Sequence, residues 1–200
     1  MRVYKEIIQG TDEWRLLRSG KFTASNFDKL FMAKSTAGYQ NLINTVVFEK
    51  LTGEVSSSYQ NDAMRRGNEL EAEALERYEL ETFSKTTRVG FVERDEWVGC
   101  SPDSFVGEKG LVQVKCPLHT TFIYYLLKPD KAKDEYLYQC QGELYVTERE
   151  WNDLFLYHPK LEPITIRIER DEKIIKEIEE KLSEAIETTQ QRINQIKGVG

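Results

Sequence analysis

Ser101-Pro102-Asp103 and, ten residues beyond Asp103, Gln113-Val114-Lys115 place an aspartate, an amide and a lysine at a spacing that a strand, a turn and a second strand can bring together. An aspartate offers a hard oxygen to a divalent cation, and a neighbouring lysine can hold or activate a water against a phosphodiester. The arrangement is the pattern P-D…(D/E)-x-K of metal-assisted phosphodiester hydrolysis, with one mismatch: Gln113 stands where a carboxylate belongs. Position 113 therefore points to the chemistry and questions whether this chain performs it.

Alternation along Leu111 to Cys116 sets Leu111, Gln113 and Lys115 on one face and Val112, Val114 and Cys116 on the other. A turn at Gly107 to Gly110 would return this strand beside Asp103; an amphipathic hairpin with a wet face fits the same spacing. On the helix expected from about Asp62 to Thr82, Glu69, Glu73 and Glu76 share one face, whereas Glu71 aligns with Gly67, Ala74, Leu75 and Tyr78. A carboxylate on an apolar stripe needs a partner, and either a divalent cation or a buried arginine would serve. Gln141 falls among Leu137, Tyr138, Leu144 and Tyr145, as a functional amide or as a core glutamine bonded to backbone. His119 reads as a polar loop residue and His158 as the close of a strand, and neither has the Ser or Cys neighbours of a catalytic triad.

The elements that must position these residues follow from periodicity and punctuation. Helices are expected over Thr11 to Arg18, Thr23 to Met32 with Thr23 as N-cap, Ala37 to Leu51 closed by Gly53, and Asp62 to Thr82. Strands are expected over Thr86 to Arg94, Trp97 to Cys100, Asp103 to Val106 and Leu111 to Cys116. Helices return at Phe122 to Leu127 and Lys133 to Val146, separated by Pro129. Strands Asp153 to His158 and Ile164 to Glu169 are set apart by Pro159 and Pro163. A last helix begins near Asp171, with Ile174, Ile178, Leu182, Ala185 and Ile193 as its apolar stripe. This order predicts an α/β (α+β) fold, a central mixed β-sheet flanked by helices, in a single domain over residues 1–200.

Composition narrows the function classes. The chain has no long apolar run and no basic leader before one, so a cytoplasmic protein is expected. Three cysteines without C-x-x-C spacing suggest neither a disulfide framework nor a cysteine zinc site. A net charge of −6 argues against sequence-blind coating of DNA. Any nucleic-acid site must be local, and residues 1–35, with seven basic side chains against four acidic ones, are the most basic stretch.

Five segments in order, W-R-L-L-R-S-G-x-F-T-A-S (Trp14 to Ser25), R-G-N-E-L-E-A-E-A (Arg66 to Ala74), C-S-P-D (Cys100 to Asp103), G-L-V-Q-V-K-C-P (Gly110 to Pro117) and Q-C-Q-G-E-L-Y-V-T (Gln139 to Thr147), resemble the phage lambda exonuclease family. The resemblance implies a restriction-endonuclease-like PD-(D/E)xK core. It also implies a Mg²⁺- or Mn²⁺-dependent exonuclease that digests the 5′-ended strand of linear double-stranded DNA and leaves 3′ single-stranded overhangs for phage recombination. By that resemblance Glu71, Asp103 and Gln113, with the Val114 carbonyl, correspond to the metal ligands, and Lys115 to the lysine that activates or orients the attacking water. Arg18, Ser25, Ser101 and Gln141 correspond to a pocket for the 5′-terminal phosphate, and Met64 to an apolar wedge that parts the last base pairs. A ring-shaped homotrimer and a single-strand annealing protein as partner, in a bacterial host cell, are implied in the same way.

The departure at Gln113 removes one negative charge while keeping the shape and one oxygen of Glu. It predicts an inactivated form of the enzyme. Gln as a neutral oxygen ligand in a natural variant, a catalytically inactive DNA-end-binding protein, and a nicking or junction-resolving endonuclease of the same fold are the alternatives.

Overall fold

The structure is a computed structural model that describes residues 1–56 and 62–198, with the side chains of residues 62–68 outside the described set. The chain runs through β1 (Arg2–Tyr4), α1 (Asp12–Arg18), β2 (Phe22–Thr23), a 3-10 helix (Ala24–Phe31), α2 (Ala37–Thr52) and α3 (Asp62–Thr82). Next come β3 (Thr86–Arg88), β4 (Phe91–Glu93), β5 (Val98–Cys100), β6 (Ser104–Val106) and β7 (Gly110–Lys115). It ends with α4 (His119–Leu127), α5 (Pro129–Thr147), β8 (Trp151–His158), β9 (Leu161–Glu169) and α6 (Glu172–Gly198). The mixed α/β class is as expected, but the strands form two mixed sheets: a five-stranded one in the order β3-β6-β7-β8-β9 and a four-stranded one in the order β1-β4-β5-β2.

The second sheet exists because the strand expected over Thr86 to Arg94 is broken at Gly90. A Cβ on Gly90 would lie 2.1 Å from the Ile7 carbonyl oxygen, so the N-terminal segment crosses directly over this residue. β3 on one side of the break pairs with β6, and β4 on the other pairs with β1 and β5. β1 and β2 have too few residues to show a period, and sequence reasoning did not anticipate them. Pro163 lies inside β9 rather than before it, which an edge strand tolerates because its outer N–H groups need no partner. Pro129 does separate α4 from α5, but as the first residue of α5, where a missing N–H costs nothing. Thr23 precedes a 3-10 helix, and its hydroxyl does not cap it.

β7 follows the expected alternation. Val112 and Val114 pack with Ala74, Leu75 and Tyr78 of α3, whereas Leu111 enters the larger core shared by α2, α5, α6 and the four-stranded sheet. α3 is pinned to this sheet by a buried polar contact. Tyr78 donates its hydroxyl to Asp153 Oδ2 at 2.7 Å, and Arg167 of β9 grips both Asp153 oxygens at 2.8 and 2.9 Å. This contact fixes the helix that carries Glu71. On the other side, a Cβ on Gly142 would lie 2.4 Å from the Phe27 ring, and that close approach seats α5 against the 3-10 helix.

Candidate active site

β6 and β7 pair antiparallel, Ser104 opposite Val112, so Asp103 stands beside Gln113 as the hairpin reading required. Asp103 Oδ2 accepts two short bonds, from Gln113 Nε2 at 2.6 Å and from the Val114 amide at 2.6 Å. Both side chains are buried, and among the described residues Gln113 Oε1 has no hydrogen-bond partner. Burial, and then the charge of Glu71, push the Asp103 carboxyl well above its ordinary pKa. Glu71 is raised as well, first by desolvation, with Arg88 and Lys115 pulling the other way. Glu71 and Asp103 line one cavity of about 450 Å³ together with Lys5, Trp14 and Arg88. The apolar-face reading of Glu71 thus resolves toward a shared cleft, where it sits beside a second carboxyl, and among the described residues no arginine is in an ion pair with it.

Lys115 ends β7 on the face shared with Gln113, and its Nζ lies 5.0 Å from the centre of the Tyr136 ring. It donates to Gln139 Oε1 at 3.1 Å. Gln139 Nε2 donates in turn to Glu143 Oε1 at 3.0 Å, and Asn152 Nδ2 of β8 donates to Glu143 Oε2 at 2.7 Å. Glu143 is buried, and desolvation raises its pKa to about 7.

A second polar cluster adjoins the first, because Ser101 and Asp103 are two residues apart on the same turn. The parallel pairing of β2 with β5 brings the start of the 3-10 helix alongside that turn. Arg18, the last residue of α1, reaches into the gap: Nη1 donates to Ser101 Oγ at 3.0 Å, and Nη2 to Thr23 Oγ1 at 3.1 Å and Ser25 Oγ at 3.2 Å. Its guanidinium lies 4.4 Å from the centre of the Trp14 ring, and Trp14 Nε1 also donates to Ser101 Oγ, at 2.9 Å. The Arg18 side chain is half-buried, with its charged end desolvated enough to bring its pKa down to about 10. Among the described residues no carboxylate pairs with it. With both acceptor sites of Ser101 Oγ filled, its own hydrogen is left to donate. A guanidinium held by hydroxyls and facing no carboxylate is suited to an anion.

Glu71, Asp103, Gln113, Val114 and Lys115 are therefore brought together, and Arg18, Ser25 and Ser101 form an adjoining cluster. Gln141 joins neither. Its amide is spent on backbone, donating to the Glu169 carbonyl at 2.7 Å and accepting from the Asp171 N–H at 3.1 Å. Its expected placement in the Arg18 pocket is corrected to that of a core glutamine that ties β9 to α6. Met64 lies among the side chains outside the described residues. His119 is the exposed first residue of α4 rather than a loop residue, and His158 closes β8 as expected. Thr23, Gln139, Glu143 and Asn152 were missed. For Gln139 and Glu143 a signal was present: a Gln-x-x-x-Glu spacing places the pair on one helical face.

Among the described residues no group of three or more His, Cys, Asp or Glu side chains is arranged to hold a metal ion. Two carboxyls, Glu71 and Asp103, line the cleft, and the Gln113 amide lies beside them, its Nε2 on Asp103 Oδ2 and near the Val114 carbonyl. Carboxylate, amide and carbonyl oxygens are hard donors of the kind that suits Mg²⁺ or Mn²⁺, so the residue types present fit such an ion, with one charge fewer than three carboxylates would give.

A family model described as the YqaJ-like viral recombinase domain matches residues 13–150. None of the curated proteins is significantly similar to the chain. Among solved structures, an alkaline exonuclease (LHK-Exo) from Laribacter hongkongensis is 36% identical, with a TM-score of 0.85 over 94% of this chain and 96% of its own. The same enzyme in complex with dAMP gives a TM-score of 0.86. A phage-related exonuclease from Haemophilus somnus, 18% identical with a TM-score of 0.73 over 91% of this chain and 99% of its own, shares the fold. The two mixed sheets with their flanking helices are thus the restriction-endonuclease-like fold of the alkaline exonucleases. By the family model and by a 36% identical relative that covers nearly all of it, the chain belongs to the YqaJ-like viral recombinase domain family, the lambda-exonuclease-like nucleases.

Proposed function

We propose that the chain is built as a divalent-cation-dependent exonuclease that digests the 5′-ended strand of linear double-stranded DNA, with Gln113 holding it in a weakly cleaving, end-binding form. The observation that carries this reading is the Arg18 cluster, a guanidinium facing three hydroxyls and, among the described residues, no carboxylate, with Ser101 of that cluster two residues along the chain from Asp103. A terminal phosphate held there places the neighbouring phosphodiester within reach of Asp103 and Lys115, which favours cleavage at an end over cleavage within a closed duplex.

Glu71, Asp103, the Gln113 oxygen and the Val114 carbonyl would hold Mg²⁺ or Mn²⁺. When bound, such an ion neutralises the phosphodiester and makes a bound water a stronger nucleophile. Lys115, its ammonium fixed on Gln139, would orient the attacking water and hold the phosphate by charge. Gln113 turns a donor toward Asp103, its Nε2 on Asp103 Oδ2. Presenting Oε1 instead requires breaking that bond and turning the amide, which is the physical reason for expecting weak cleavage.

We extend the reading to a ring-shaped homotrimer that works with a single-strand annealing protein in phage recombination. The family, and the complex of a 36% identical relative with dAMP, support a nucleotide-releasing enzyme. The test is nucleotide release from 5′-phosphorylated linear duplex by the parent and by Gln113→Glu, with covalently closed circles as control. A gain on linear DNA alone is expected. A variant that stays inert while binding ends makes the chain an end-binding protein, and cutting of closed circles makes it an endonuclease.

A further inference from the structure

Glu143 is a buried carboxyl that the proposed reaction leaves unused and that, unlike Asp153, has no arginine bonded to it among the described residues. It is 1% exposed and stands on the buried C-terminal half of α5. Its two oxygens are each engaged by an amide, one from its own helix and one from β8. The Gln139 amide also has both ends occupied, accepting from Lys115 and donating to Glu143. An amide in that position cannot turn over without setting donor against donor at Lys115 and acceptor against acceptor at Glu143. The orientation of Gln139, and with it the seat of the Lys115 ammonium, is therefore dictated by the carboxylate four residues further along the helix.

We propose that Glu143 is a positioning residue for Lys115, acting through the Gln139 amide, and that the ionised carboxylate is the state that holds the lysine in place. Asn152 anchors the far oxygen to β8, the strand that pairs in parallel with β7 beneath Lys115, so both ends of the relay rest on one sheet. The charged and titratable groups that act on Glu143 come from four directions: Lys115 from β7, Arg18 from α1, Cys100 from β5 and Cys140 on its own helix, with Asp103 beyond. Lys115 and Arg18 favour the carboxylate, and burial opposes them and wins, raising its pKa to about 7. Below that value a neutral acid replaces the carboxylate at the end of the relay. Above it the negative charge returns and draws the Gln139 N–H, and so Lys115, into register. The relay would thus act as a switch toward alkaline conditions. It rests on the nuclease reading only for its catalytic consequence.

The first arm of the test does not depend on cleavage. In the full chain labelled with ¹³C-lysine, the Lys115 Cε signal is assigned by Lys115→Arg and followed through a pH titration. An inflection near neutrality is expected in the parent, and it should vanish both in Glu143→Gln, which removes the titration, and in Gln139→Leu, which removes the link. Circular dichroism confirms that each variant is folded, and the second variant serves if the first is not. No inflection in the parent, or one that survives both changes, overturns the proposal. The second arm, in the Gln113→Glu background, measures nucleotide release against pH. Glu143→Gln is expected to lower kcat about tenfold or more with little change in KM and to remove the rise through neutrality. A loss confined to KM, or an unchanged pH profile, overturns the catalytic role. If no variant cleaves DNA while the NMR coupling is present, the relay stands and the nuclease reading fails.

Discussion

Gln113→Glu should make this protein less stable without a divalent cation, before any gain in cleavage is considered. Gln113 Nε2 lies 2.6 Å from Asp103 Oδ2, and both side chains are buried, Gln113 at 4% and Asp103 at 9% exposure. Replacing the amide nitrogen by a carboxylate oxygen turns this attraction into a repulsion of about 6 kcal/mol at an effective dielectric near 20. The pair escapes most of it by keeping a proton, and holding a carboxyl protonated near pH 8 costs at most about 5 kcal/mol against the unfolded chain. After relaxation, a loss of about 4 kcal/mol is expected, which for a chain of this size is roughly 8–16 °C in Tm. The sign with pH follows from a folded-state pKa raised above the unfolded one. The variant matches the parent below about pH 4, and its deficit grows as pH rises toward the folded-state value.

Thermal melting by circular dichroism, in a chelator near pH 5 and near pH 8 and then with Mg²⁺, checks this. The deficit should be larger at the higher pH, and Mg²⁺ should raise the Tm of Gln113→Glu by several degrees more than that of the parent. Equal melting of the two proteins in chelator at the higher pH would refute the claim that the amide substitutes for a cation at Asp103. An equal Mg²⁺ shift in both would refute the claim that position 113 faces the ion.

The other clusters give their own expectations. Arg18→Lys keeps the charge but loses the planar fork shared with Ser101, Thr23 and Ser25, so the preference for 5′-phosphorylated over 5′-hydroxyl duplex ends should fall about tenfold or more in competition binding; an unchanged ratio would move the phosphate elsewhere. Glu143, raised to about 7 from an ordinary 4.5, contributes stability that is fully present below the unfolded pKa and is lost as pH rises through about 7. Against Glu143→Gln the parent should therefore lose about 3 kcal/mol across that window in urea unfolding, and parallel curves would contradict the assignment. Arg167→Leu leaves Asp153 buried with only Tyr78 and should cost about 3–5 kcal/mol, whereas Tyr78→Phe should cost about 1 kcal/mol. Comparable losses from the two would mean that Arg167 is not the partner that matters.

What the sequence revealed, and what it hid, divides by the range of the contacts involved. The Asp103, Gln113 and Lys115 hairpin was legible because a period of two and a glycine turn are properties of adjacent residues, and the pairing of Ser104 with Val112 followed from them. The break at Gly90 was not, because its cause is the Ile7 carbonyl, far away in the chain. The same holds for Thr23, whose hydroxyl seemed free to cap the next helix until Arg18 of the preceding one took it as an acceptor. Helix α5 shows a deeper limit. Residues 139 and 141 lie about 200° apart around a helix, so at most one of them can belong to a single apolar stripe. Amphipathic logic chose Gln141, the glutamine with apolar neighbours. From Cys140 to Thr147, however, the helix is buried on every side, against the 3-10 helix, β8 and α6. In such a helix the side holding the polar network is as enclosed as the apolar one, and neighbours in sequence do not distinguish them. Closure of the network does. Gln141 meets two backbone groups and ends there, whereas Gln139 has a charged residue at each end of its amide and so connects a lysine at the site to a carboxylate in the core.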